Sequence, residues 1–127
     1  MELTGAGELR VLGNVIAYYS DERLKNIQKP IGNALSIIDS WRAVHYTANE
    51  TAVKFGYDAD KPEIGLIVQD VEKDFPEIIA EAAIGEGYKT IQYDKITAIL
   101  VAALQEQIAI NDSLIARIEN LENKIDK

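Results

Sequence analysis

A serine and a lysine stand five positions apart in Ser20-Asp21-Glu22-Arg23-Leu24-Lys25, and nucleophilic chemistry would start from that pair. A serine hydroxyl is a weak nucleophile at neutral pH and needs a base within hydrogen-bond reach; a lysine taken out of water can serve as one. On a helix the lysine side chain leans toward the N-terminus, so Lys25 would reach back toward Ser20. The reach is strained, because five residues rise ~7.5 Å along an ideal helix. The same residues have a plainer meaning, with Ser20 as an N-cap, Asp21 and Glu22 as first-turn acids, and Lys25 as a solvated helix charge. Spacing alone favours the plainer one.

Other chemistry is thin. His45 is the single histidine and, beside Tyr46 on an expected strand, reads as a half-buried structural residue. Glu63, Asp70, Glu72, Asp74 and Glu77 form an acidic stretch without histidine, cysteine or calcium-loop spacing, so a solvated face is expected, with no metal and no cofactor. Gly85-Glu86-Gly87 is turn chemistry rather than a phosphate loop. Cysteine is absent, which excludes disulfides, thiolate zinc sites and cysteine nucleophiles. A net charge of −8 repels phosphate backbones and anionic lipid, so neither nucleic acid nor membrane is an expected partner. No apolar run approaches the ~18 residues of a spanning helix, and no signal peptide is read at the start.

Positioning elements come next. At 127 residues, 47% of them hydrophobic, the chain has room for one modest core plus an extension. Residues 1–19 carry two β-prone pieces, Leu9–Leu12 and Val15–Tyr19, split by the turn dipeptide Gly13-Asn14. They are too few to bury a core and read as the end of an upstream shaft, with Met1 opening a stretch that belongs to something longer. From Ser20 a helix is expected through Leu24, Ile27 and Ile31, interrupted by Pro30 and Gly32, then a short helix over Ala34–Ser40. Ala43–Lys61 suggests a hairpin around Thr47–Thr51. Glu63–Gln69 is an expected strand, Asp70–Phe75 a short helix ended by Pro76, and Thr90–Tyr93 a last strand. Trp41, Tyr46, Phe55 and Phe75 are core candidates. The fold class is α+β.

From Asp94 to Lys127 there is neither glycine nor proline, so one helix of roughly 50 Å is expected. Leu100, Leu104, Gln107, Asn111, Leu114, Ile118, Leu121 and Ile125 recur at 4-3-4-3 spacing, the signature of a coiled-coil seam. Its first half could equally pack on the chain's own body, whereas its second half outruns any body that the preceding residues could build. Ile at a with Leu at d leans toward a dimer. Apolar flanks at Val101, Ile108, Ile115, Ala103 and Ile110 widen the face and favour three or more helices. Gln107 and Asn111 are polar layers that fix register.

Three motifs stand in order along the chain: Ser20–Lys25 followed by Ile27; Gly65-Leu66-Ile67-Val68-Gln69-Asp70-Val71-Glu72 with Phe75-Pro76-Glu77; and Ile91-Gln92-Tyr93 leading into the long helix. In these the sequence closely resembles the intramolecular chaperone family, also called the S74 peptidase or endosialidase chaperone family, found at the C-terminus of phage tail spikes and tail fibres. The resemblance covers about Tyr19 to the C-terminus. It departs modestly: Val68 precedes Gln69 where small residues are common, and the Thr47–Thr51 stretch is private to this chain. It implies a homotrimer that assists assembly of the upstream fibre shaft of the same polypeptide, in the host cytoplasm during virion assembly, or that stays on the virion tail if not released. It further implies a single-turnover serine endopeptidase cutting between Tyr19 and Ser20, with Ser20 as nucleophile and Lys25 as base. Asp21, Gln69 and Asp70 would support the site. The implied organisation is shaft end 1–19, chaperone body 20–92 and trimerising helix 93–127. Two rivals remain: a structural fibre tip that trimerises without cutting, and an adhesin tip that binds a receptor.

Overall fold

The computed structural model describes residues 1–3, 7–84 and 86–126. Gly85 of the expected turn and Lys127 at the helix end lie outside the described residues. The chain forms two compact units, Met1–Pro30 and Ile31–Lys127.

In the first unit β1 (Glu2–Leu3) pairs antiparallel with β2 (Leu9–Arg10), Leu3 opposite Leu9. Val15–Tyr19 forms no strand. Its apolar side chains are exposed and, among the described residues, no strand forms a ladder with it, so β propensity goes unused. Nor does Ser20 open a helix through Ile31. The only regular turn is a 3₁₀ segment over Glu22–Leu24, and Lys25 leaves it extended at φ −119°, ψ 137°. Leu24 and Ile27 are exposed, so the expected helix lacks the packed face that stabilises short helices. Pro30 also biases Lys29 away from helical geometry.

The second unit begins with α1 (Ala34–Asp39), the short helix expected there. β3 (Ala43–Tyr46) pairs antiparallel with β4 (Glu63–Leu66), from Ala43 opposite Leu66 to Tyr46 opposite Glu63. The expected hairpin within Ala43–Lys61 is therefore wrong. Between the two strands lies α2 (Glu50–Lys54), started by Asn49, whose side chain accepts from the Ala52 N–H, and followed by Gly56 at φ +99°. After β4 come α3 (Val68–Glu72), a 3₁₀ turn at Pro76–Ile78, and β5 (Ile79–Glu81) paired with β6 (Lys89–Ile91). The short helix thus starts earlier than Asp70, and β5 has no counterpart among the expected strands. Val71, Ile78, Ile91, Ile96 and Ile99 form the buried core, with Ile38, Trp41, Phe75 and Leu66 packed around it. Trp41 and Phe75 meet edge to face at 6.1 Å. Tyr46 is half exposed, and Phe55 meets Tyr88 edge to face at 5.5 Å. His45 is exposed.

α4 (Tyr93–Ile125) is the single long helix. Its first turns are fastened to the body on one side by Ile96, Ile99 and Ala103, which are buried. Glu106 completes that face. Its carboxylate accepts from the backbone N–H groups of Ala34 and Leu35, at 3.1 and 2.6 Å, supplying the N-terminal cap that Asn33's own side chain does not give α1. At its start Tyr93 accepts a hydrogen bond from the Leu66 N–H at 3.0 Å. A Cβ on Gly65 would stand 3.0 Å from that hydroxyl, so glycine is what lets Tyr93 dock on β4. After Gln107 the helix leaves the body, and every described residue from 108 to 126 is exposed. By length and composition alone α4 is apolar enough to cross a membrane, a point the search for unbroken apolar runs overlooked. Polar residues including Gln107, Asn111 and Asp112 are spread through its length, and beyond the body-facing Ile96, Ile99 and Ala103 a row from Leu100 to Ile125 keeps the 4-3-4-3 spacing of a helix that pairs with helices.

Candidate functional site

Ser20 is not the cap of the turn that follows it. Asp21 is: its Oδ1 accepts from the Arg23 N–H at 2.9 Å. Both Asp21 oxygens also receive the Arg23 guanidinium, at 2.8 to 3.3 Å. That pairing, first through the side chain and then through the backbone N–H, holds the Asp21 carboxyl below its ordinary value and leaves it an acceptor. Ser20 is thereby left out of the cap, and the Asp21 carboxylate is taken up by Arg23. Ser20 meets Lys25 instead, Lys25 Nζ donating to Ser20 Oγ at 3.2 Å. Among the described residues this is the only hydrogen bond of the Lys25 side chain, which has no ion-pair partner, while its backbone N–H donates to the Glu22 carbonyl. The strained reach expected of a helix does not arise, because a three-residue turn followed by an extended residue brings the side chains back together.

A second serine–lysine contact shows that distance alone is not chemistry. Lys73 Nζ also stands 3.2 Å from a serine, Ser40. There the hydroxyl donates to the Ile37 carbonyl at 2.6 Å, and the ammonium is shared with Asp74 at 3.3 Å. Neither group is free to exchange a proton with the other. At Ser20 and Lys25 no such commitments exist among the described residues. Both side chains are exposed.

Backbone geometry just upstream is unusual. Tyr18 has φ +65°, one of three non-glycine residues with positive φ among those described. Sequence reading had no signal for this, since tyrosine is not a residue that favours that region.

Gln69 and Asp70 belong to the second unit, on α3. Gln69 is exposed and lines an open groove with Tyr46, Leu66 and Tyr88. Asp70 is fully engaged. Its Oδ2 accepts from the Arg42 backbone N–H and Nε, and its Oδ1 from Nη2, each at 3.0 Å. Arg42's side-chain hydrogen bonds, then its backbone N–H, hold the Asp70 carboxyl below its ordinary value. The visible work of Asp70 is to tie the start of β3 to α3. The acidic stretch is likewise paired rather than gathered: Glu63 with Lys61, Glu72 with Lys89, Asp74 with Lys73. Among the described residues no group of acids, histidines or cysteines could hold a metal ion.

Apart from Gln107, which is partly buried and lines a groove against α1 with Leu35 and Ile38, the expected seam lies off the face that α4 gives to its own body. Leu100 and Leu104 are exposed although Ile99 and Ala103 beside them are buried. Past the body Leu114, Ile118, Leu121 and Ile125 continue the row in solvent, while Gln107 Nε2 donates to Asn111 Oδ1 at 2.8 Å along the same stripe.

Residues 20–80 match the family model described as chaperone of endosialidase, Peptidase_S74. The chain is 32% identical over 108 residues to the long tail fiber protein Gp37 of Enterobacteria phage K3, and equally to that of phage T2. It is 31% identical over 94 residues to that of phage M1. These alignments cover 84%, 84% and 73% of this chain, but only 8%, 7% and 37% of the respective relatives. Over residues 20–80 the chain belongs to the chaperone-of-endosialidase family.

Proposed function

From that membership we propose that the chain is a trimerising assembly chaperone of a phage tail fibre that releases itself by cutting between Tyr19 and Ser20. The observation that carries the cutting is the Ser20–Lys25 contact, formed because Asp21 takes over the cap. Gp37 relatives supply the tail-fibre context.

The chemistry follows from where the hydroxyl sits. Ser20 contributes the amide nitrogen of the bond to be cut, so its Oγ adds to the Tyr19 carbonyl carbon bonded to that nitrogen, closing a five-membered ring. Lys25, as a neutral amine, takes the hydroxyl proton and returns it to the Ser20 nitrogen as the C–N bond breaks. An ester of Tyr19 on Ser20 results. Water then hydrolyses it, leaving a Tyr19 carboxylate, a free Ser20 amine and the regenerated hydroxyl. Desolvation is what lets a lysine act as base. Both side chains are exposed in the single chain, so covering them falls to neighbouring copies, which couples cutting to assembly.

The bare stripe of α4 is the assembling surface. Leu104, Gln107, Asn111, Leu114, Ile118, Leu121 and Ile125 pair with the same residues of two other copies, and each apolar side chain contributes roughly 1.5–3 kcal/mol when fully buried. The shaft end 1–19, body 20–92 and trimerising helix 93–127 are the working divisions.

Intact-mass measurement of freshly expressed chain tests the cut. The expected products divide at Tyr19–Ser20, and Ser20→Ala remains whole. Cutting at another bond, or cutting by Ser20→Ala, refutes the assignment.

A further inference from the structure

We infer that neighbouring copies run parallel and in register along the distal half of α4, selected by an ion pair between Arg117 of one copy and Glu122 of the next. This rests on the assembling stripe proposed above. With Leu104, Asn111, Ile118 and Ile125 at a, the flanks beyond the body are Ile110 and Arg117 at g, with Ile115 and Glu122 at e. In parallel helices in register, a g residue faces the e residue of the following heptad on its neighbour. Ile110 then meets Ile115, and Arg117 meets Glu122. Apolar falls on apolar, and cation on anion.

The chain itself offers these two charges nothing. Three and four positions from Arg117 stand Ser113, Leu114, Asn120 and Leu121, with no acid among them. Around Glu122 the same positions hold Ile118, Glu119, Ile125 and Asp126, so its charged neighbours on the helix are both acids. Like charges at that spacing destabilise a helix, and a cation brought by another chain offsets them. Both side chains are exposed, and among the described residues neither makes a hydrogen bond or an ion pair. Other arrangements lose the match. A slip of one heptad in one direction sets Ile110 against Glu122. In the other direction Glu122 finds Lys124, but Arg117 is left against Ile115. Either slip also carries the amides of Gln107 and Asn111 onto apolar layers. A full antiparallel overlap brings Arg117 to Ile110 and Glu122 to Ile108.

The test sets the helix's own preference against that of the assembly, using the full chain and sedimentation equilibrium. Glu122→Arg places a cation between Glu119 and Asp126, which suits its own helix better. It should nonetheless weaken association by about tenfold, because Arg117 of the neighbouring copy then faces a second guanidinium in every repeated pair. Arg117→Glu should weaken it by a similar factor, and the two changes together should restore it to within about threefold. Orientation is read separately. The chain has no cysteine, so in Ile125→Cys a disulfide can join only that position to itself. Parallel helices in register bring the two thiols together, and air oxidation should then give covalently linked copies. Association unchanged or strengthened by Glu122→Arg, or an assembled Ile125→Cys that does not cross-link, overturns the proposal and leaves the stripe standing. A wild type that is a monomer at micromolar concentration overturns both.

Discussion

At the residue scale the decisive event is a substitution of roles between neighbours. Asp21 caps the turn that Ser20 was expected to cap, and Arg23 holds the carboxylate that Lys25 would otherwise meet. Lys25→Arg should therefore fail to cut, because a guanidinium stays protonated and cannot accept the serine proton. Lys25→Ala should fail too while changing stability by no more than about 0.5 kcal/mol, as befits an exposed side chain. Native-rate cutting by Lys25→Arg, timed by intact mass, would show that the base is another group. Asp70 gives a pH prediction. Its carboxyl is depressed in the folded chain, so the unfolded chain binds the extra proton first. The tie to Arg42 is fully present above the ordinary carboxylate value of ~3.9 and is lost as pH falls through the lower folded value. Chemical denaturation from pH 6 downward should show wild type more stable than Asp70→Asn, with the gap closing in that acid window. A gap independent of pH would mean that the ion pair is not its source.

At the element scale two motifs of the sequence turn out to be one joint. Gly65 and Tyr93 lie far apart in sequence, but the Tyr93 hydroxyl sits so close over Gly65 that a Cβ there would force it to give by a few tenths of an ångström. Gly65→Ala should lower stability by roughly 1 kcal/mol or more, from forced displacement of a packed neighbour. In a Tyr93→Phe background, where the crowded oxygen is gone, the same change should cost less. Thermal unfolding of the four proteins measures the coupling, and strictly additive effects would refute the joint. The long helix, α1 and the strand at Glu63–Leu66 were legible because each carries a local signal: an unbroken stretch without glycine or proline, helical apolar spacing, an apolar run. The pairing of Ser20 with Lys25 was legible as a resemblance, and the geometry of their contact was not. A helix was read from Leu24, Ile27 and Ile31, whose spacing is helical but which meet no packed surface. The false hairpin came from weighing Val53, Phe55 and Tyr57 above the cap at Asn49. Glu106 and Arg42 were missed because their partners are remote in sequence, and no local rule brings a carboxylate on one helix to the N-terminus of another.

At the scale of the whole molecule, α4 gives its body Ile96, Ile99 and Ala103 and leaves Leu114, Ile118, Leu121 and Ile125 exposed, so the proposed association would draw on apolar side chains that folding of the body does not use. A double change, Leu114→Asp with Ile118→Asp, would set like charges on the seam, where desolvation and repulsion add. It should fray or dissociate the assembly while leaving the body folded, whereas Glu119→Ala should do little. Sedimentation equilibrium on the wild type is the parallel check: a monomer at micromolar concentration refutes the seam, and a dimer would mean that Ile and Leu placement outweighed the apolar flanks.

The freedom of the helix beyond Gln107 also bears on the order of events. The bare stretch 108–125 is a rod of about 27 Å. On the proposed function, rods carried on chains that share a fibre would search a small volume for one another. Once two had met, the third would join from a local concentration set by its tether and not by the cell, in the millimolar range for short flexible links. Encounter at the tip would then precede registration of the shafts, and the cost of bringing three long chains together would be met before any of their repeats had to align.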